Sequence, residues 1–171
     1  MAVEPSLIPL DNVDPALVET LLDRAFEPER RQRTAYKVRG DADWLPALSF
    51  AAVDEEEHLV GTIQCWPVAL TDGEGRPHPM IMVGPVAVLP EAQGRGFGKA
   101  LVSAAISALN PKAQLPLVMI GDPEYYERWG FSALATGEWS LPGPFDRHRL
   151  LVRHENAAVL PKQGTLGPWT R

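Results

Sequence analysis

The segment "QGRGFGK", residues 93–99, sets Gly94, Gly96 and Gly98 on alternate positions around Arg95, Phe97 and Lys99. Glycines remove Cβ atoms and let a backbone close on a ligand, and Arg and Lys neutralise phosphate oxygens. Before the segment, "MIMVGPVAVL" reads as a buried strand; after it, Leu101, Ala105 and Leu109 fall four apart beside Ala104 and Ala108, one apolar helical stripe. A strand, a Gly-rich turn and a helix N-terminus together offer unpaired amide donors and a favourable dipole to an anion. Spacing then narrows the ligand. A nucleotide-binding GxxxxGK[ST] loop would need Gly at Gln93 and Ser or Thr at Ala100, and a dinucleotide GxGxxG turn would need Gly at Lys99. Both are excluded.

A second constellation lies downstream in "GDPEYYERWGF", where Tyr126 is followed four residues later by Gly130-Phe131. With Gln93, Gly96 and Gly98 in the pattern Q-x-x-G-x-G, the chain resembles the GNAT superfamily of acyl-CoA N-acyltransferases, and most of all the YhbS-like acetyltransferases. The resemblance covers roughly residues 48 to 135. It implies an α/β (α+β) GNAT fold: a central mixed, mostly antiparallel sheet of six to seven strands, splayed at the middle and flanked by about four helices. It also implies acetyl-CoA as cosubstrate, with the pyrophosphate cradled by the backbone amides from Gln93 to Lys99, that is Gln93, Gly94, Arg95, Gly96, Phe97, Gly98 and Lys99. The pantetheine arm would lie along Val86, Ala87 and Val88 as an added strand, and a backbone N–H near Val88 would face the oxyanion. Gly84-Pro85, a residue without a side chain and one without an amide donor, suits the splay that such strand addition needs.

By the same resemblance Tyr126 is the acid that protonates the departing thiolate. A phenol of reference pKa ~10 is protonated at neutral pH. Its neighbour Tyr125, about a third of a turn away, is the better candidate for the core. Asp122 and Glu124 lie just before Tyr126 and are candidate bases, but their positions before and after Pro123 also fit an N-cap and a first-turn carboxylate, and a water chain could serve instead. His58, His78, His148 and His154 show no metal-ligand spacing, so no metal is expected. Cys65 has no argued His partner, which favours direct attack over an acyl-cysteine. The chain departs from the family at Met119, where an Asn is common seven residues before the tyrosine.

The elements that must position these residues follow from periodicity. "SLIPL" is a short first strand; Asp14-Pro15 starts a helix that ends near Phe26; a second helix is expected over residues 29–38, closed by Gly40 in a left-handed C-cap. "ALSFAAV" and "HLVGTIQCWPVAL" are strands joined through "DEEE" as a hairpin. "LPLVMI", "FSALAT" and "HRLLVR" supply the last strands, with a short helix from Asp122-Pro123 to Gly130 between the first two. Residues 156–171 are weakly patterned and are expected only to pack along the surface of a single 1–171 domain.

Composition bounds the rest. The chain has 171 residues, 45% hydrophobic and 22% charged, one cysteine, and 16 Lys and Arg against 22 Asp and Glu for a net charge of −6. That field repels polyanions, so nucleic acid is not expected as a partner, and a GNAT toxin acting on aminoacyl-tRNA is disfavoured. No signal peptide pattern and no run of about 18 apolar residues is present, so the cytoplasm and no membrane are expected. Arg30, Arg31, Arg33, Lys37 and Arg39 form a basic island that reads either as a solvated face or, with Trp44, as the rim of an acceptor cleft. The expected activity is acetyl transfer to a primary amine of a small molecule or peptide; the alternative is a non-catalytic acyl-CoA-binding sensor. A homodimer is among the assemblies the resemblance allows.

Overall fold

The computed structural model describes residues 6–112, 114–155 and 157–169. Its strands are β1 (Ser6–Pro9), β2 (Phe50–Val53), β3 (Leu59–Thr71), β4 (Pro77–Val88), β5 (Leu117–Ile120), β6 (Glu138–Ser140), β7 (Leu150–Arg153) and β8 (Gln163–Pro168). The helices are α1 (Pro15–Ala25), α2 (Thr34–Arg39), α3 (Phe97–Ser107) and α4 (Pro123–Tyr126), with single 3-10 turns between elements. The eight strands form an open sheet in the order β1-β2-β3-β4-β5-β7, with β8 pairing β3 and β6 off that path. The β1–β2, β2–β3, β3–β8 and β5–β7 ladders are antiparallel, whereas β4–β5 and β6–β8 are parallel. The sheet thus has one or two strands more than the sequence suggests. Among the described residues no helix is long and apolar enough to cross a membrane.

The chain forms two compact units. The first comprises Met1–Arg31, Trp44–Cys65 and Gly84–Asn110. Here α1 starts as its sequence directs: the Asp14 carboxylate accepts from Ala16 N at 2.9 Å and Pro15 fills the first position. Val18, Leu21 and Leu22 form its buried stripe. β1 and β2 pair Ser6 with Val53 through Pro9 with Phe50, and β2 pairs Ala52 with Gly61 on β3. Gly61 is small for a reason: a Cβ there would lie 3.0 Å from Ala87 O and 3.1 Å from Leu101 Cδ1. Its absence lets α3 sit directly on the sheet, so the helix that follows the glycine segment has a fixed seat.

The second unit comprises Gln32–Asp43, Trp66–Val83 and Pro111–Arg171. β5 pairs β4 through Ile81–Leu117 and Met82–Val118, then continues against β7 as far as Ile120–Leu150. Trp139 on β6 is wholly buried and donates its indole N–H to Pro161 O at 2.9 Å. The Arg147 guanidinium ties the approach to β6 by donating from Nη1 to the carbonyls of Gly137 and Trp139 at 2.7 and 3.0 Å.

Several expectations change. The segment 29–38 is broken into a 3-10 turn at Arg30–Gln32 and the short α2, and Gly40 closes α2 with φ +58° and ψ −137°, a positive φ outside the left-handed helical region. "FSALAT" is not a strand beyond one bridge, Ser132–Val152. Its own polar side chains turn the chain instead: Ser132 Oγ accepts from Leu134 N, and the Thr136 hydroxyl donates to Leu150 O at 2.8 Å. The tail does not merely lie on the surface, because β8 pairs Thr71 with Thr165 and Val68 with Pro168, and β6, which the sequence does not announce, pairs β8 in parallel.

Candidate active-site elements

The glycine segment lies in the first unit and is built as the sequence suggests, strand into turn into helix. β4 ends at Val88, a 3-10 turn at Pro90–Ala92 closes with Ala92 N donating to Leu89 O, and α3 begins at Phe97. Gly94 and Gly96 take φ of +82° and +89°, where a side chain is strained, and Gly96 is the N-cap of α3. No side chain caps that helix, and a Cβ on Gly94 or Gly96 would meet no atom within 4 Å. The result is an exposed loop leading to an uncapped helix N-terminus with open space beside it, as an anion cradle requires. Gly98 lies inside α3 and does not share the positive φ of Gly94 and Gly96.

The remaining residues of the segment divide by what their side chains do. Phe97 is buried and anchors the helix, so only its main chain can face a ligand. Gln93 turns back and donates from Nε2 to Val88 O at 3.4 Å. Lys99 is exposed. Arg95 is engaged: its Nη2 donates to Glu55 Oε2 at 2.9 Å, and its guanidinium lies 5.2 Å from the Phe97 ring centroid. Glu55 belongs to the "DEEE" turn, which the sequence shows only as a polar connection; nothing in its own pattern signals a contact 40 residues away. On β4, the register with β5 ends at Met82, two residues before Gly84 with its φ of +131°. Val86, Ala87 and Val88 follow, of which Ala87 alone is buried.

Tyr126 lies in the second unit, on a helix of four residues. Asp122 caps it, accepting from Glu124 N at 3.0 Å, and is thereby occupied as a structural carboxylate, whereas Glu124 is exposed. The Tyr126 ring rests on Gly121, where a Cβ would be 2.7 Å from Cε2. It packs against Tyr125, Trp129 and Phe131 with centroids 4.9, 5.9 and 6.3 Å away. The motif spacing is now physical: Gly130, with φ +89°, reverses the chain and brings Phe131 back to the tyrosine. Burial foremost, with the neighbouring Tyr125 adding to it and Arg149 opposing, pushes the Tyr126 phenol up to about 12. Tyr125 is not the core residue expected of it; it is half-buried, with the Arg128 guanidinium 4.6 Å from its ring centroid. Met119, at the family's Asn position, is buried in β5.

Three residues of the basic island, Arg30, Arg31 and Arg39, are engaged by neighbouring side chains. Arg30 is buried and ion-paired with Glu19 and with Asp23 at 3.0 Å, Arg31 bonds Glu19 at 2.8 Å, and Trp44 donates to Asp11 at 2.9 Å. Arg39 is stacked between rings, 3.7 Å from Tyr36 and 4.0 Å from Trp66. Among the described residues no group of three or more His, Cys, Asp or Glu could hold a metal. Cys65 is buried, and burial pushes its thiol up to about 12. Native protein at pH 8 is therefore expected to resist iodoacetamide, with alkylation, followed by mass, appearing only when denaturant unfolds the chain.

Comparison with known proteins agrees with this geometry. The model of the acetyltransferase (GNAT) family matches residues 16–131, reaching further towards the N-terminus than the motifs alone. The chain is 28% identical over 143 residues to the uncharacterised N-acetyltransferase YhbS of Escherichia coli (strain K12), covering 81% of this chain and 83% of that protein. The crystal structure of Escherichia coli YhbS in complex with CoA superposes with a TM-score of 0.74 at 24% identity, covering 99% of this chain and 92% of the other. A GNAT family acetyltransferase from Brucella melitensis, in complex with acetyl-CoA, gives a TM-score of 0.57 at 24% identity over 89% and 97% of the two chains. The chain belongs to the acetyltransferase (GNAT) family of N-acyltransferases.

Proposed function

We propose that this protein moves the acetyl group of acetyl-CoA to a primary amine of a small molecule or peptide by direct attack in a ternary complex. The observation that carries the reading is the uncapped N-terminus of α3 behind the exposed turn at Gly94 and Gly96, in a family whose relatives include proteins crystallised with CoA and acetyl-CoA. In this reading the amides from Gln93 to Lys99 bind the pyrophosphate, with Arg95 and Lys99 adding charge. Val86 to Val88, past the last residue of the β4–β5 register, take the pantetheine arm by main-chain bonds. The amine nitrogen attacks the thioester carbonyl, the carbon–sulfur bond breaks, the nitrogen gives up its proton to solvent, and the thiolate takes one from Tyr126, which solvent reprotonates. The buried, protonated Cys65 favours direct attack over an acyl-cysteine.

A second reading, a non-catalytic acyl-CoA sensor, takes support from Met119, which offers no polar contact where the family commonly has Asn. One pair of measurements tests both. Calorimetry with acetyl-CoA, CoA and dephospho-CoA is expected to show micromolar binding, and a panel of primary amines is expected to elicit thiol release. Binding without release from any amine would leave the sensor; no heat at all would overturn the cofactor reading.

A further inference from the structure

The turn between β2 and β3 is closed by its first residue. Asp54 N donates to His58 O at 3.0 Å, and Asp54 Oδ1 accepts from Glu56 N and His58 N, each at 2.9 Å. Glu57 completes it with φ +64° and a bond from its N–H to Asp54 O. None of these bonds uses the Glu55 carboxylate. The turn therefore holds Glu55 at a set place, and its Oε2 and Oε1 meet Arg95 Nη2 at 2.9 and 3.4 Å. All these residues belong to the first unit. Asp54 adds to the same field: its carboxyl is held below the usual range by the His58 N–H foremost, with Arg95 contributing.

Arg95 stands between the two positive-φ glycines of the cradle, so the cation best placed for a phosphate is already occupied by a carboxylate. The two side chains are 42% and 53% exposed, and water and salt screen such a pair so that it holds only weakly. A phosphate offers the guanidinium two parallel charge-assisted bonds and more negative charge than a carboxylate. Exchange of Glu55 for phosphate is therefore favoured, and the carboxylate opposes it only weakly.

We propose that Glu55 is a positioning residue for the cosubstrate site: it holds the Arg95 guanidinium beside the loop in the free protein and yields it to a phosphate of the acyl-CoA. This rests on the reading of the glycine loop as the cosubstrate cradle. Two consequences separate it from a salt bridge that only ties two loops together. Removing the carboxylate tightens cosubstrate binding, and it does so through Arg95.

The test is calorimetry of the full chain with CoA and with dephospho-CoA on wild type, Glu55→Gln, Arg95→Gln and the double variant, at low and at physiological salt. Glu55→Gln is expected to tighten CoA binding roughly two- to fivefold at low salt, less at the higher salt where exposed charges are screened. Arg95→Gln weakens binding, and in its background Glu55→Gln gives no further gain beyond the small change expected from one fewer negative charge, so the two effects do not add. If the gain with CoA vanishes with dephospho-CoA, the phosphate received is the 3′-phosphate; if it persists, it is the pyrophosphate. Unchanged or weaker CoA binding in Glu55→Gln, or an equal gain in the Arg95→Gln background, overturns the proposal while the cradle stands. No heat from any of the four proteins overturns the cradle and the proposal together.

Discussion

Gly96→Glu is expected to abolish CoA binding while leaving a folded protein. The backbone at Gly96 has φ +89°, which disfavours any residue with a Cβ by about 1–2 kcal/mol, so the melting temperature should fall by a few degrees. No steric clash adds to that, because a Cβ there meets no atom within 4 Å. A carboxylate at an uncapped helix N-terminus is also electrostatically welcome when no ligand is present. The same carboxylate then occupies the place of the phosphate and repels it, so affinity should fall by ~100-fold or more, roughly 3 kcal/mol. Gly96→Ala separates the two causes. It carries the backbone strain without the charge, and should show the smaller melting shift with only a modest loss of affinity. Full CoA affinity in Gly96→Glu would move the phosphate site away from this loop.

Tyr126→Phe is expected to leave the calorimetric affinity for acetyl-CoA unchanged and to lower kcat by about 100-fold or more, the range over which a positioned acid contributes. The phenol is pushed up to about 12, mainly by burial, and so remains protonated across the whole working range. It does not titrate near neutrality, and the pH profile of kcat should show no alkaline fall from Tyr126 below about pH 11. The linkage runs the same way. A folded-state pKa raised from ~10 to about 12 gives stability that is complete below pH 10 and is lost as pH rises through 12. Wild type should lose melting temperature over that window, and Tyr126→Phe should lose less. Unchanged turnover would end the assignment of Tyr126 as acid; an intact alkaline melting profile would contradict its burial.

The short elements were the least legible in the sequence. "FSALAT" alternates like a strand, yet Ser132 and Thr136 satisfy main-chain groups locally and the chain turns. The tail shows the converse. In β8 only Leu166 is fully buried, and two of six residues are glycines, so no side-chain period marks it; its place comes from main-chain pairing with β3 and β6. The basic island places its side chains in different surroundings for a related reason. Charges on neighbouring positions suggest one face, but Arg30 turns inward to Glu19 and Asp23 on α1.

The local grammar of the cradle and of the tyrosine helix is written in residue spacing. Alternate glycines after a strand, Asp14 and Asp122 before proline, and Gly130 before Phe131 act through backbone conformation and hydrogen bonds within a few residues, which sequence spacing encodes directly. Tertiary structure alone decided what each charge faces and how buried each acid is. Glu55 reaches Arg95 across 40 residues of chain, and Tyr126 owes its raised phenol pKa to burial foremost, with Tyr125 adding to it. Electrostatic partners and desolvation depend on distance in space, and the order of residues along the chain does not record that distance.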